Sequence, residues 1–415
     1  MPFEPAPSEA AFKRSRRFTV SVVSSLLLVA SSLVLSAGPA QAATVIQGRY
    51  TYSTDTSALT ATITDYDATG GGGAPTIPST FVDGPDTYTV TAIGTNAFNN
   101  KGLTAVTIPN TITSIGDSAF AFNLLTTVVI PNSVTALGPS VFSKNSISSL
   151  TISTSLTSIA DYAFSENQLG TISIPATVTQ IGIGAFLFNK LTALTIPGAV
   201  TSIGARAFDT NLLTGIVIPD SVIDIGAGAF DFNNLSSLTL GNSVQTIGTI
   251  AFHGGSLTSV TIPDSVITIG DWAFNSNAIS SLTLGNSVTS IGNYTFSSNQ
   301  LTTVSIPSSV TWIGDNAFGQ NPSLTTVKFL GAAPSTFTAR STGRGSLGDQ
   351  DLLVQYPIAL AAGYAPSTWL GYRAEPFGTL AATGIEVVPL VLTGAGLIAI
   401  GIFIFLRTRR RTQVR

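Results

Sequence analysis

The sequence has no cysteine, one histidine and few charged residues. Without cysteine, the chain can form no disulfide, thiolate metal site or cysteine nucleophile. Charged residues make up 9% of the chain, whereas soluble globular proteins usually carry about 25%, so Thr, Ser, Asn and Gly must supply most of the polar surface. The net charge is −3 and no basic block lies away from the two ends, which argues against nucleic acid as a partner.

Two long apolar segments stand at the ends of the chain. Near the start, KRSRR (Lys13–Arg17) precedes an apolar run, and AQA (Ala40–Ala42) follows it. A basic stretch, an apolar core and small residues before the cut are the parts of a secretory signal. We therefore predict a signal peptide over residues 1–42, cleaved between Ala42 and Ala43. An uncleaved membrane anchor is the alternative.

The second apolar segment covers residues 387–406 and is followed by four arginines within five positions. A helix of this length spans about 30 Å, the thickness of the hydrocarbon core of a bilayer. The arginines place the C-terminus in the cytoplasm by the positive-inside rule. The sequence thus predicts a transmembrane segment at 387–406 and places the body of the chain outside the cell.

Between the two ends runs a repeat with a period of 22 residues. Phe recurs at this interval eleven times, an aliphatic residue precedes each Phe by five positions, and Asn follows most of them by three. The recurrent Phe residues are Phe98, Phe120, Phe142, Phe164, Phe186, Phe208, Phe230, Phe252, Phe274, Phe296 and Phe318. The Asn residues are Asn123, Asn145, Asn167, Asn189, Asn211, Asn233, Asn277, Asn299 and Asn321. A fixed period of this length indicates a solenoid.

The unit LTTVSIPSSVTWIGDNAFGQNP, which starts at Leu301, shows how one coil is built. Leu301, Val304 and Ile306 follow L-x-x-L-x-L, the strand signature of leucine-rich repeats. Because side chains alternate along a strand, Val304 and Ile306 point inward, whereas Thr303 and Ser305 point outward.

The second half of the unit predicts a turn. Pro307 ends the strand because it has no N–H to donate. We expect Gly314 to take a left-handed conformation and Asp315 to cap a short helical turn that carries Phe318. We expect Asn321 to pair its buried amide with the backbone of the neighbouring coil.

No single unit can bury its apolar residues alone, so the units must stack around one continuous core. We predict a leucine-rich-repeat solenoid, with a parallel β-sheet of about eleven 22-residue coils that is roughly 50 Å long. Short helical turns are expected on the convex side, and a cap at each end.

The unit pattern L-x-x-L-x-L-P-x-x-L-x-x-I-G-x-x-A-F resembles the BspA-type, or treponemal-type, leucine-rich repeat of bacterial surface proteins. The resemblance covers Thr76 to Leu330. Asn stands where the family often has Cys, and Ser153, Gly241 and Gly285 replace the proline. The resemblance implies a secreted or cell-surface protein, since several relatives are adhesins toward matrix proteins or other cells.

The chain divides into five parts on this reading. After the signal peptide, residues 43–90 are predicted to form an N-terminal cap. Within it, Gly48–Tyr66 is predicted to form a hairpin and Gly70–Gly73 a flexible loop. Repeats fill residues 91–330. A C-terminal cap over residues 331–379 contains a strand, a short helix and an aromatic group. That group is Trp369, Tyr372 and Phe377.

Few residues suggest chemistry. His253 has no recurrent acid partner and is interpreted as an incidental turn residue. Aspartate recurs at one repeat position, where a cap for the turn is favoured over a row of calcium sites. These aspartates are Asp117, Asp161, Asp271 and Asp315. No phosphate-binding loop appears, and we expect no enzyme, no cofactor and no metal.

The outward strand positions, here called the strand face, carry hydroxyls rather than charges or aromatic rings. The candidate binding residues are Thr239, Thr261, Thr283 and Thr303. Protein-binding surfaces usually present Tyr, Trp or Arg anchors. Three interpretations stay open: a solvated surface without a ligand, weak recognition of a glycan or protein, and binding of ice.

The pentapeptide LAATG precedes the C-terminal apolar segment and resembles the L-P-x-T-G sorting signal of Gram-positive bacteria, in its L-A-x-T-G variant. Its residues are Leu380, Ala381, Ala382, Thr383 and Gly384. The resemblance implies that a sortase cuts between Thr383 and Gly384 and joins Thr383 to peptidoglycan. A permanent tail anchor is the alternative.

Together these patterns predict a secreted protein on the wall or membrane of a Gram-positive bacterium, with residues 380–415 as its sorting region. It would present a solenoid for adhesion or for recognition of a glycan or protein, and would meet the membrane only through the C-terminal segment. The rivals are a passive spacer and a permanently membrane-anchored ectodomain.

Overall fold

The computed structural model describes residues 42–71, 73–337, 345–348, 351–363 and 368–378. In chain order its strands are β1 (Ala43–Gln47), β2 (Tyr50–Asp55), β3 (Thr60–Tyr66), β4 (Thr80–Asp83), β5 (Asp86–Ile93), β6 (Ser114–Ile115), β7 (Thr127–Val129), β8 (Ala136–Leu137), β9 (Ser149–Thr151), β10 (Ser158–Ile159), β11 (Gln180–Ile181), β12 (Ser202–Ile203), β13 (Gly215–Val217), β14 (Asp224–Ile225), β15 (Ser237–Thr239), β16 (Thr246–Ile247), β17 (Ser259–Thr261), β18 (Thr268–Ile269), β19 (Ser281–Thr283), β20 (Ser290–Ile291), β21 (Thr303–Ile306), β22 (Trp312–Ile313), β23 (Thr326–Phe329), β24 (Thr336–Phe337), β25 (Leu353–Pro357), β26 (Thr368–Trp369) and β27 (Tyr372–Phe377). Within these ranges the one helical element is a 3₁₀ helix at Ile358–Gly363, and no helix is long and apolar enough to cross a membrane.

The repeat coils form short strands at two separate points of the 22-residue unit, and some coils, such as those at 171–173 and 193–195, have no strand at the first point. The first segment follows the L-x-x-L-x-L pattern and forms the parallel pairs β7–β9, β13–β15, β17–β19 and β21–β23. The second forms an unbroken nine-stranded parallel sheet from β10 to β24, here called the second sheet. Its partners lie 22 residues apart, as Ile159 and Ile181 do, except in the last pair, where Trp312 and Thr336 are 24 residues apart. The predicted solenoid is confirmed, with about twelve coils. The second sheet was not predicted from the sequence.

A column of stacked Phe rings fills the core. All eleven recurrent Phe side chains are at most 1% exposed. Neighbouring rings stack with centroids between 4.9 Å, for Phe98 and Phe120, and 5.9 Å, for Phe142 and Phe164. Each ring therefore contacts only the coils before and after it, as a repeat array requires.

The recurrent Asn side chains join adjacent coils, as predicted. Asn145 donates from Nδ2 to the carbonyl oxygens of Phe120 and Phe142, at 2.9 and 3.1 Å, and its Oδ1 accepts from the Leu125 amide at 3.1 Å. The same arrangement recurs at Asn167 and Asn211. The column of recurrent Asn residues is here called the Asn ladder. A buried amide is costly unless it is paired, so each Asn both satisfies itself and fixes the stacking register.

The turn around each Phe is not helical, contrary to the prediction. Alternate N–H groups of the turn donate to the following coil, as Phe208 N does to Ala229 O at 2.9 Å. These groups cannot also make the i to i−4 bonds of an α-helix. Cross-coil pairing therefore replaces the expected helical turn.

The prediction of a left-handed Gly314 is also wrong. The left-handed residues lie two positions before and after each Phe, as Asn316 and Gln320 do with φ of 50° and 53°. Gly314 allows close packing of two coils instead, because a Cβ there would lie 2.6 Å from the backbone nitrogen of Asn293 in the preceding coil.

The N-terminal cap begins with the predicted hairpin. Strands β1, β2 and β3 pair in antiparallel order, β3 then runs parallel to β5, and β5 pairs in parallel with the repeat strand β6. Gly73, at the end of the predicted flexible loop, makes a parallel bridge with Leu103. The cap therefore passes directly into the solenoid.

The repeat gains one residue in the C-terminal coils, after Asn321 and Pro322. Thr303 pairs with Thr326, an offset of 23 residues, and Leu324, Val327 and Phe329 are buried. The predicted strand and short helix are β25 and the 3₁₀ helix. Of the predicted aromatic group, Tyr372 is buried and Lys328 Nζ lies 4.1 Å from the centre of the Phe377 ring, while the Trp369 side chain lies outside the described residues.

Candidate functional site

The strand face lies on the outer side of the first strand segment in each coil. Thr239, Thr261 and Thr283 are exposed, and Thr261 faces Thr283 directly across the β17–β19 pair. Residues between the outward positions are buried or half-buried, as Val260 and Leu282 are. Thr303 is also exposed, but it stands 22 residues after Ser281 and so belongs to the neighbouring serine column.

A shallow groove of about 550 Å³ opens on the strand face beside Gly215. Gly215 holds an outward position at which the next coil has Ser237, so its missing side chain creates the depression. Val217, which is 63% exposed, and Thr239 line the same groove. The site thus combines hydroxyl groups with one apolar wall. Gly215 and Val217 were not predicted as site residues from the sequence.

Two of the recurrent aspartates accept hydrogen bonds from the next coil. Asp161 Oδ1 accepts from Ile183 N, and Asp271 Oδ1 accepts from Asn293 N, each at 2.7 Å. The predicted capping role is therefore an intercoil one. Asp117 and Asp161 are two coils apart, about 10 Å at the spacing of paired strands, which is too far to share a calcium ion. In the part of the chain that the structure describes, no three His, Asp or Glu side chains form a metal cluster.

A cluster of acidic and basic side chains at the Phe turns was not predicted from the sequence. His253 Nδ1 lies 2.8 Å from Asp231 Oδ1, so His253 has one acid partner, although the pair does not recur along the repeat. The two residues are 22 positions apart, which is one repeat period, but the pair occurs only once. One coil earlier, Arg206 Nε donates to Asp209 Oδ2 at 2.7 Å.

The two acids of this cluster, Asp209 and Asp231, are both buried. Burial raises the pKa of Asp209, and the hydrogen bonds from Arg206 and Thr210 lower it in part. Asp231 and His253 belong to successive coils, so this pair, like the Asn ladder, ties one coil to the next.

The processing sites fall at or beyond the limits of the described chain. Ala43, the residue after the predicted signal cleavage, begins β1. The predicted signal segment before Ala42, the sorting residues Leu380–Gly384 and the apolar segment 387–406 all lie outside the described residues.

Several solved structures of bacterial proteins are similar to this chain. A leucine-rich cell surface protein from Faecalibacterium prausnitzii A2-165 is 24% identical over 76% of this chain and 94% of its own, with a TM-score of 0.46. The pneumococcal vaccine antigen PcpA is 17% identical over 81% of this chain and 99% of its own, with a TM-score of 0.51. A leucine-rich repeat protein from Bacteroides ovatus ATCC 8483 is 20% identical over 75% of this chain and 70% of its own, with a TM-score of 0.44. No curated protein matches the chain.

The repeat region itself matches a known sequence family. Six copies of the BspA type leucine rich repeat region fit residues 91–214 and 201–325, which together cover more than half of the 415 residues. Solenoids of this kind are typically binding scaffolds rather than enzymes, and BspA-like repeat proteins of bacteria are surface proteins. The chain therefore belongs to the BspA-type leucine-rich repeat family.

Proposed function

We propose that this chain is a secreted, wall-anchored repeat protein whose strand face recognises a glycan or protein ligand during adhesion. The groove beside Gly215 carries the proposal, because exposed hydroxyls of Ser237 and Thr239 flank the apolar side chain of Val217 there. Family membership supports a surface setting.

The chemistry of the strand face favours weak individual contacts. Each hydroxyl hydrogen bond adds about 0.5–1.5 kcal/mol net, and no charged or aromatic anchor occurs among the outward pairs from Ala105/Thr107 to Thr303/Ser305. Many copies on one cell would supply the strength of attachment through effective concentration.

The anchor follows from the C-terminal sequence. LAATG, the apolar segment and the arginine tail stand in the order of a sorting signal, so a sortase would release residues from Gly384 onward and join Thr383 to peptidoglycan. Only Gly378 and Thr379 separate Phe377 from Leu380. The solenoid would therefore stay close to the wall, where wall glycans and neighbouring surfaces are within reach.

The recognition role can be tested on whole cells of the native host. Beads coated with glycans or matrix proteins should attach to cells that carry the wild-type chain. Replacing Thr239, Thr261 and Thr283 together by Lys should keep the fold, because all three are exposed, and should abolish attachment.

A matched control places the same charge elsewhere. Thr157, Thr179 and Thr201 are exposed next to the second sheet, and their replacement by Lys should leave attachment unchanged. Equal attachment by all three cell types would refute the strand-face proposal and favour a passive spacer.

A further inference from the structure

A second groove opens on the other side of the coils. It has a volume of about 330 Å³ and is lined by Thr246, Thr268, Asp271, Ser290 and Trp312, among others. Thr246, Thr268, Ser290 and Trp312 hold the same position in four successive coils, where β16, β18, β20 and β22 pair. The groove therefore runs along the solenoid for about 14 Å.

Trp312 departs from the rest of its column. The equivalent residues of the nine-stranded sheet are Ser158, Gln180, Ser202, Asp224, Thr246, Thr268, Ser290 and Thr336. The sheet thus forms with small or polar side chains at this position, and a large ring is not needed for its packing. Trp312 is half-buried, so part of its ring is available at one end of the groove.

Asp271 supplies an oriented carboxylate. Its Oδ1 accepts from Asn293 N at 2.7 Å and its Oδ2 accepts from Asn293 Nδ2 at 3.2 Å. These bonds hold the group in place, and each carboxylate oxygen keeps a further lone pair for a ligand hydroxyl. Thr246 and Thr249 are exposed beside it.

We propose that this groove binds a linear neutral glycan, with the Trp312 ring under one sugar and Asp271 accepting hydrogen bonds from sugar hydroxyls. A sugar presents an apolar C–H side and a polar hydroxyl edge, which match an aromatic ring beside hydroxyls and a carboxylate. None of the residues that line the groove, all within the described chain, is Lys or Arg. An anionic polymer would therefore find no counter-charge there. The inference rests on the proposed role in recognition but not on the strand face.

The test uses the full chain, purified in detergent micelles because of its apolar C-terminal segment. Cellohexaose, chitohexaose, β-1,4-mannohexaose and isomaltohexaose are titrated separately by calorimetry. At least one should bind, with a Kd of about 1 mM for so open a site. Trp312→Thr installs the residue that Thr268 already provides in this column, so the coil should fold, and binding should weaken at least about fivefold.

Two further variants separate this inference from the strand-face proposal. Asp271→Ala, which matches Ala227 at the same repeat position, should also weaken binding about fivefold, whereas the triple Lys variant of the strand face should bind as the wild type does. Melting curves check that each variant is folded. The inference is overturned if no hexasaccharide binds or if Trp312→Thr binds normally. Loss of binding in the triple Lys variant alone would move the glycan to the strand face.

Discussion

At the scale of residues, each turn contains one buried Phe and two left-handed positions, and nine of the eleven turns also carry the recurrent Asn. The left-handed positions carry many residue types, including Phe188 and Phe232, whose rings are 46% and 61% exposed. A bulky residue with positive φ is uncommon and strained. The cross-coil hydrogen bonds of the turn impose this conformation, so it recurs whatever the side chain is.

The contrast between buried and exposed Phe gives a direct test of the core. Phe208→Ala removes a fully buried ring that stacks on Phe186 and Phe230, so the free energy of unfolding in urea should fall by about 3–5 kcal/mol. Phe188→Ala is the control, and its effect should stay within about 0.5 kcal/mol. Similar losses of stability in both variants would contradict a core formed by the column of stacked Phe rings.

Asp209 gives a prediction for the pH dependence of stability. Burial raises its pKa, so the folded state binds the proton more tightly than the unfolded state. The stabilisation is present below the ordinary value of about 4 and is lost as the pH rises through the folded value. Asp209→Asn, which matches Asn275 at the same repeat position, removes this dependence.

The melting temperature of Asp209→Asn, relative to the wild type, should therefore increase as the pH is raised from about 4 to 7. Asp224→Asn is the control, since Asp224 is exposed. The difference in melting temperature between this variant and the wild type should not change with pH. A flat difference for Asp209→Asn as well would show that burial does not govern this carboxyl.

Repeat positions that keep the same residue type could be predicted from the sequence. Positions that share only a backbone conformation could not. The Phe and Asn ladders follow from the 22-residue period because one chemical role fixes one residue type. The left-handed positions have no such signature, since Ser118, Tyr162 and Arg206 all occupy one of them. The His253–Asp231 pair escaped notice because it occurs once, and a single pair leaves no periodic trace.

At the scale of elements, the second sheet is continuous while the pairing on the strand face is interrupted. The inward Ile residues of the second sheet, such as Ile203, Ile225 and Ile247, are at most 2% exposed. They lie in two-residue strands, too short for an alternating pattern to reveal. The L-x-x-L-x-L strands were visible because three apolar positions mark them. The grooves beside Gly215 and Trp312 depend on side chains of adjacent coils together, which a linear pattern does not show.

Nearest-neighbour contacts predict that whole coils are dispensable. Deleting Phe208–Ala229 removes one 22-residue period and brings Phe186 next to Phe230 in register, so the protein should stay folded. Deleting 11 residues, 208–218, should place polar positions in the core and unfold the local stack. Thermal melts report both, and equal damage from the two deletions would contradict an in-register solenoid.

At the scale of the whole molecule, the protein is a repeat scaffold with a predicted attachment to the wall. The scaffold presents one hydroxyl-rich groove on the strand face and another beside Trp312. Neither groove is deep, so function would depend on many copies held at one surface. Covalent anchoring through Thr383 supplies that density in the proposal.

Fractionation of native cells tests the proposed wall anchor most directly. Wild-type protein should stay with the wall in hot detergent and appear only after wall-degrading enzymes are added. Thr383→Ala should move it to the detergent-soluble fraction, whereas Thr379→Ala, outside the pentapeptide, should not. Detergent extraction of the wild-type protein, or wall retention of Thr383→Ala, would contradict the account.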